Sequence, residues 1–311
     1  LRYTRDKINS SNSFDSNADD IDINLSSGQD FRRFIFDINF ENRNIQYGLL
    51  SSTRTRTING NIKYLLSRKF ALTTEIGYDD NKFESSRNSI SGPLWNLGFE
   101  WNPSVRTSFG VNYGQRFFGD DLQVFFSHRS RKSQINIQFE QVPSTTRNSF
   151  LRQQAFNLTD LFNDPLADPA SRQIANLNLT VPGQTNEVLI RKRMTLAYTY
   201  RLKKNTLNIA ANYEESKYEI SRDTEYIRSI NLNWTWNMFP STDSIVSVQW
   251  NKNNFRRGGD DTFIVAQYNL SHKITANFTG NQGVKFLDRK SNNPLREYDE
   301  SRIFANVSKR F

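Results

Sequence analysis

The chain has 311 residues, of which 36% are hydrophobic and 13% aromatic (24 Phe, 12 Tyr and 5 Trp), and its net charge is +9. So low an apolar fraction is poor material for a packed globular core of this length, and no run approaches the 18 or more apolar residues of a transmembrane helix. With 0 Cys, disulfide, thiol and cysteine–zinc chemistry are excluded. The basic residues are dispersed along the chain, which argues against a nucleic-acid partner.

A period of two fills most of the chain instead. The first segments, 1–8 and 20–27, are weakly patterned, and 31–42, 54–66 and 69–84 follow as strands. Over 92–101, Trp95, Leu97, Phe99 and Trp101 share one parity, with Asn96, Gly98 and Glu100 opposite. Asn102-Pro103-Ser104 reads as a turn, where Pro costs no ladder bond. Over 104–117, Val105, Thr107, Phe109, Val111 and Tyr113 oppose Ser108, Gly110, Asn112 and Gly114. Strands then follow at 121–129, 132–142, 188–201, 205–218, 225–239, 243–256, 261–271, 273–288 and 297–311. The pattern predicts about sixteen strands, with fourteen or eighteen also compatible. An even number puts both chain ends on one side.

Short turns are read at Ser67-Arg68-Lys69, Ser130-Arg131-Lys132, Lys203-Lys204-Asn205, Pro240-Ser241-Thr242 and Ser271-His272-Lys273. They alternate with longer polar connections near 9–19, 44–53, 85–91, 118–121, 143–187, 219–225, 257–261 and 289–296. Strands of 11–16 residues exceed the usual five or six of soluble sheets and suffice to cross a bilayer when tilted. The fold expected is all-β: one transmembrane antiparallel β-barrel over 1–311, with short periplasmic turns, long extracellular loops and an insertion at about 143–187. Its polar interior reconciles low hydrophobicity with strong periodicity. A soluble sandwich or propeller is the alternative. A chain opening at Leu1 without a leader is expected to be a processed segment.

Taking the apolar parity as lipid-facing assigns Arg33, Lys63, Arg106, Arg116, Arg191, Arg193, Arg201, Arg228, Arg302, Glu75, Glu100 and Glu140 to the pore lining. Asn and Gln neighbours such as Asn96, Asn112, Gln134, Asn136, Gln138, Asn208, Asn212, Asn231 and Asn233 make it a wall that binds hydroxyls and water. Its basic excess would favour anionic or polar solutes; charges that merely pair with one another are the plainer reading. Aromatics beside the short turns (Phe70, Trp101, Tyr200, Trp236, Phe239) and near the far ends (Tyr78, Tyr113, Phe117, Tyr213, Tyr226) suit two interfacial girdles rather than sugar-stacking platforms.

The insertion 143–187 carries Phe150, Phe156, Leu161 and Phe162, too apolar for a plain solvated loop. It could constrict the lumen, cap the mouth or dock a partner; a passive surface loop is the alternative. Catalysis has little support, because the only imidazoles are His128 and His272, both beside short turns. Neither a cofactor motif nor metal-ligand spacing occurs. The acidic pairs Asp19-Asp20, Asp79-Asp80 and Asp260-Asp261 offer oxygens for Ca²⁺ but lack a loop framework.

The ending, Ile303, Ala305, Val307 and Phe311 on one parity against Arg302, Asn306, Ser308 and Arg310, resembles the last strand of bacterial outer-membrane barrels. That resemblance implies that Phe311 is the insertion signal read by the barrel-assembly machinery. Asn186-Glu187-Val188-Leu189-Ile190-Arg191-Lys192-Arg193, Lys204-Asn205-Thr206-Leu207-Asn208 and Tyr298-Asp299-Glu300-Ser301-Arg302-Ile303 resemble the barrel porins of exopolysaccharide gene clusters, including those with PEP-CTERM systems. The resemblance covers about 186–311. It implies an integral protein of the bacterial outer membrane, in contact with lipid and lipopolysaccharide, that exports a polysaccharide with a periplasmic polysaccharide-export protein. The alternatives are a general or anion-preferring solute porin and a non-conducting structural or adhesion barrel.

Overall fold

The computed structural model describes residues 2–8, 16–27, 33–47, 51–145, 187–255, 259–275, 277–294 and 297–309. The strands are β1 (Arg2–Ile8), β2 (Ser16–Ser26), β3 (Phe34–Tyr47), β4 (Ser51–Leu65), β5 (Phe70–Lys82), β6 (Gly92–Ser104), β7 (Thr107–Arg116) and β8 (Gly119–Arg129). They continue as β9 (Ser133–Thr145), β10 (Val188–Arg201), β11 (Asn205–Tyr218), β12 (Thr224–Phe239), β13 (Thr242–Phe255), β14 (Gly259–Lys273), β15 (Phe278–Ser291) and β16 (Tyr298–Lys309). All belong to one 16-stranded sheet in sequence order, each strand antiparallel to its neighbours. Among the described residues β1 pairs with β2 and β16 with β15, and no ladder joins β1 to β16.

Alternation decides the faces. On β6, Leu94 and Asn96 are 1% and 3% exposed, whereas Trp95 and Leu97 between and beyond them are 39% and 57% exposed. The apolar parity is thus the open one: Ile58, Leu72, Ile76, Phe99, Ile230, Val248, Val284 and Ile303 are all exposed. A water-soluble sheet does the reverse. Burial of this outer face by lipid removes the conflict, with roughly 25 cal/mol for each Å² of apolar surface taken out of water.

The polar face is the concave one. Side-chain bonds that skip a strand lie on it: Lys63 (β4) to Glu100 (β6), Thr73 Oγ1 (β5) to Asn112 Oδ1 (β7) at 2.6 Å, and Arg116 Nη2 (β7) to Asp79 Oδ1 (β5) at 2.8 Å. Inward curvature brings such side chains together. The sheet also rolls much further. The connection 83–91 between β5 and β6 bonds to the β11–β12 turn, Ser86 N donating to Glu219 O at 3.1 Å. Six strand spacings in a flat sheet come to about 29 Å, whereas four residues of loop reach about 14 Å at full extension. Only a sheet curled toward itself closes that gap.

Three connections differ from the sequence expectation. β7 and β8 are joined by a two-residue turn at 117–118 rather than a longer connection at 118–121, because Arg116 already pairs with Gly119. The β6–β7 reversal is at Val105 and Arg106, not at 102–104; Pro103 falls in the register shift between Trp101 and Ser104, where a missing N–H breaks no regular ladder bond. Ser271-His272-Lys273 is not a turn. β14 continues through Lys273, opposite Thr279, and Ile274 N donates to Phe278 O across the actual reversal.

Candidate functional site

The outer face carries two aromatic levels. Beside the short turns Phe70 and Trp101 stack with centroids 6.4 Å apart, and Trp234 and Trp236 stack at 6.0 Å. Toward the other end, Tyr213 and Tyr226 lie 6.4 Å apart, and Tyr113 Oη donates to Asp120 at 3.0 Å. Ten residues of tilted strand, Trp236 to Tyr226, rise about 25 Å, the height of a transmembrane apolar band. The two levels are interfacial girdles, so the protein is an integral outer-membrane β-barrel.

The inner face has two unlike walls. On β3–β8 the polar groups bond to one another. Asp79, 1% exposed in its side chain, takes both Arg116 Nε at 3.1 Å and Nη2 at 2.8 Å, and Thr57 Oγ1 at 2.7 Å. Asn96 Nδ2 donates to Glu75 Oε2 at 2.8 Å and to Asp121 Oδ2 at 3.1 Å. Asn59 donates to Glu75 and Asn61 to Asp37. A second charged knot joins β9–β11: Arg193 meets Glu214 at 3.3 Å and Glu140 at 3.8 Å, beside a cavity of about 340 Å³ lined by Gln138, Glu140, Arg193 and Thr195.

The wall of β11–β14 is uncharged in the middle. Asn208 lies opposite Asn233, Asn231 opposite Gln249, Ser229 opposite Asn251, and Ser247 opposite both Asn233 and Gln267. Asn231, Asn233, Gln249, Asn251 and Gln267 make no side-chain hydrogen bond among the described residues. Asn231 is exposed and Gln249 and Gln267 are half-buried, so these amides are open to a solute, whereas Asn251 is 7% exposed and Asn233 Oδ1 is buried. Two aromatic rings also face inward, each laid over a glycine. A Cβ on Gly110 would stand 2.2 Å from the Phe125 ring, and one on Gly283 would stand 2.6 Å from the Phe304 ring. Sequence reading missed both because each stands alone among polar residues; the facing glycine one strand over was the available signal.

The predicted lining residues separate accordingly. Lys63, Glu75, Glu100, Arg116, Glu140, Arg191, Arg193, Arg201 and Arg302 are on the inward parity of their strands. Arg33 and Arg106 lie outside the strands, in a bend and a turn. Arg228 is on the opposite face: it shares parity with Tyr226 and Ile230, and its guanidinium lies 5.8 Å from the Tyr213 centroid and 5.9 Å from that of Tyr226. Nor is the lining basic. On β2–β8, Asp20, Asp22, Asp37, Glu41, Glu75, Asp79, Glu100 and Asp121 outnumber Arg43, Lys63, Arg116 and Arg129. The basic excess sits in the short turns, at Arg68, Lys69, Arg131, Lys132, Lys203 and Lys204, and on the outer face.

Each acidic pair is split by strand alternation. Asp79 faces inward to Arg116 while Asp80 faces outward to Arg54 and Arg56; Asp20 meets Arg43 inside while Asp19 meets Arg5 outside. Neighbours on opposite faces cannot chelate one ion. The imidazoles are both outward and each bonds a threonine across the ladder: His128 Nδ1 with Thr107 Oγ1 and His272 Nδ1 with Thr242 Oγ1, both at 2.8 Å. Phe150, Phe156, Leu161, Phe162 and Phe311 lie outside the described residues.

A strap at the long-connection end was not anticipated. Glu219, with its side chain 2% exposed, accepts Arg87 Nε at 2.6 Å and Ser85 Oγ at 2.9 Å. Arg87 Nη1 also donates to Phe118 O at 3.2 Å, and Arg222 Nε to Ser86 Oγ at 3.3 Å. Glu187 Oε1 braces the same turn by accepting Ile220 N and Ser221 N. The connection 83–91 is thereby tied to the wall formed by β11 and β12.

No family model matches the chain, and no curated protein matches it in sequence. Among solved structures it is similar to an outer membrane protein, opdK, of Pseudomonas aeruginosa, at 9% identity and TM-score 0.39, covering 98% of this chain and 95% of that one. It is also similar to the outer membrane channel DcaP of Acinetobacter baumannii, at 7% identity and TM-score 0.38, covering 96% and 97%. An anion-selective porin from Comamonas acidovorans stands at 8% identity and TM-score 0.37, covering 96% and 89%. At these scores nothing is carried from those proteins to this chain.

Proposed function

We propose that this barrel is an outer-membrane channel for polyhydroxylated solutes, and that its cargo is a secreted polysaccharide leaving the cell. The observation that carries the proposal is the row of unpaired amides on β11–β14. An amide offers a donor and an acceptor, as a sugar hydroxyl does. An uncharged amide wall exchanges such partners with a sliding chain without holding any one of them. Away from that wall, Phe125 of β8 and Phe304 of β16, lying over Gly110 and Gly283, offer apolar faces suited to a pyranose ring. An anion-preferring pore is disfavoured by the acids that crowd the inner face of β2–β8. The reading implies a periplasmic export partner at the short-turn end.

A small-solute porin is the second reading, favoured by the strap that Arg87 and Glu219 hold across the long-connection end. A deletion strain separates the two. Loss of one secreted glycan with small-sugar uptake intact supports export. Normal glycan secretion with slowed uptake of small sugars supports the porin.

A further inference from the structure

Arg228 is the starting point, because a cation on a lipid-facing wall needs a counter-charge. Directly across the ladder from it, on the same outer face, is Lys252. Lys252 is opposite Thr262, and Thr262 opposite Lys290, again on the outer face. Three cations therefore lie within about 14 Å along the arc from β12 to β15. Like charges directly opposite one another destabilise a ladder, yet none of the three makes an ion pair among the described residues. The outward acids nearby are otherwise placed: Glu215 takes Lys192 at 3.5 Å, Asp288 sits opposite Asp299, and Asp260 sits opposite Asn254.

The opposite sector of the same rim behaves differently. There Arg54 and Arg56 share Asp80, at 3.5 and 3.4 Å, and Arg5 meets Asp19 at 3.3 Å. On β1–β5 Arg5, Arg54 and Arg56 each reach an outward carboxylate, although Lys82 opposite Arg54 does not; on β12–β15 none of Arg228, Lys252 and Lys290 reaches one, even with Asp288 two residues from Lys290. Depth identifies what supplies the anion. Arg228 is eight residues of tilted strand above Trp236, about 20 Å, and its guanidinium lies against the upper tyrosines. That is the headgroup level of the leaflet on the long-loop side, which in barrels of this kind is the outer leaflet.

We infer that Arg228, Lys252 and Lys290 form a docking site for an outer-leaflet lipid whose headgroup carries more than one phosphate. Three cations over that span exceed what a single phosphodiester can meet. A planar guanidinium can grip a phosphate bidentately while the lysines act as point charges. The apolar flank below, with Ile230, Val248 and Trp250, takes the acyl chains. Phosphate binding here also lifts the repulsion between Arg228 and Lys252.

The test uses the full protein in detergent, with bound lipid counted by native mass spectrometry and the thermal midpoint followed during lipid addition. A bis-phosphorylated glucosamine glycolipid should remain bound and raise the midpoint. Its dephosphorylated form, phosphatidylglycerol and inorganic phosphate should each do much less. The variant R228Q/K252Q/K290Q should bind the glycolipid about a hundredfold more weakly, while R54Q/R56Q binds like the parent. Equal binding by the triple variant, or equal stabilisation by phosphatidylglycerol or inorganic phosphate, overturns the site. Should the triple variant fail to fold, the phosphorylated and dephosphorylated lipids compared on the unsubstituted protein still decide.

Discussion

The two inner walls use the same residue types to different ends. On β3–β8, Asn59, Asn61 and Asn96 are tied to Glu75, Asp37 and Asp121, and Asp79 is held by three donated bonds. On β11–β14, Asn231 faces Gln249, Asn233 faces Asn208 and Ser247, and Asn251 faces Ser229, with no side-chain bond made by Asn231, Asn233, Gln249 or Asn251 among the described residues. Polar groups bonded to one another give rigidity and are costly to disturb, even though Asn96 Oδ1 and Asp121 Oδ1 are left without a partner. Unsaturated ones give little stability and remain available to whatever passes. One wall is scaffold and the other is contact surface, although composition alone makes them look alike.

Breaking the scaffold should have the largest effect. Arg116→Ala leaves the nearly buried Asp79 carboxylate without its bidentate partner, and loss of one member of such a pair costs about 3 kcal/mol or more. A lowered denaturant midpoint, read from heat-modifiable migration on gels, checks it; an unchanged midpoint would mean that the network holds nothing together. Glu219→Gln comes next. It weakens charge-assisted bonds from Arg87 and Ser85 by about 2 kcal/mol, enough to raise the opened fraction of the strap about thirtyfold. Conductance in planar bilayers should rise with the fold intact.

Gly110→Ala is a milder insult. The atoms nearest its Cβ belong to the Phe125 ring, which can swing away, so about 1 kcal/mol is expected. Altered sugar-dependent current noise would show that the displaced ring had been part of the contact surface. The smallest effect on stability belongs to the amide wall. Asn231→Ala with Gln249→Ala should change the midpoint by less than about 0.5 kcal/mol, since no bond is lost. Saccharide flux in proteoliposomes should nonetheless fall. A large stability loss there would erase the distinction between the walls.

Much of this was legible in the chain. Strands of 10–16 residues with a strict period of two, such as β6 and β7, announce themselves because every second side chain meets the same medium. The misplaced turn at Ser271 failed for a related reason: three polar residues mimic a reversal, whereas Ile274 at the real one does not look like turn chemistry. Arg228, expected inward, stands instead on the apolar parity of β12 with Tyr226 and Ile230. Near a membrane interface an arginine can stand on the apolar parity and lay its guanidinium over tyrosine rings.

The sequence alone determined the strand number to within one hairpin, the order of pairing and which parity is apolar, because these depend on local alternation and on short connections between neighbours. It did not determine what the inward groups bond to, or that the connection 83–91 meets Glu219. Those contacts join residues 132 or more positions apart, or strands that skip a neighbour. They exist because the sheet curls and brings side chains on its concave face within reach. Curvature belongs to the whole sheet and is written in no single strand.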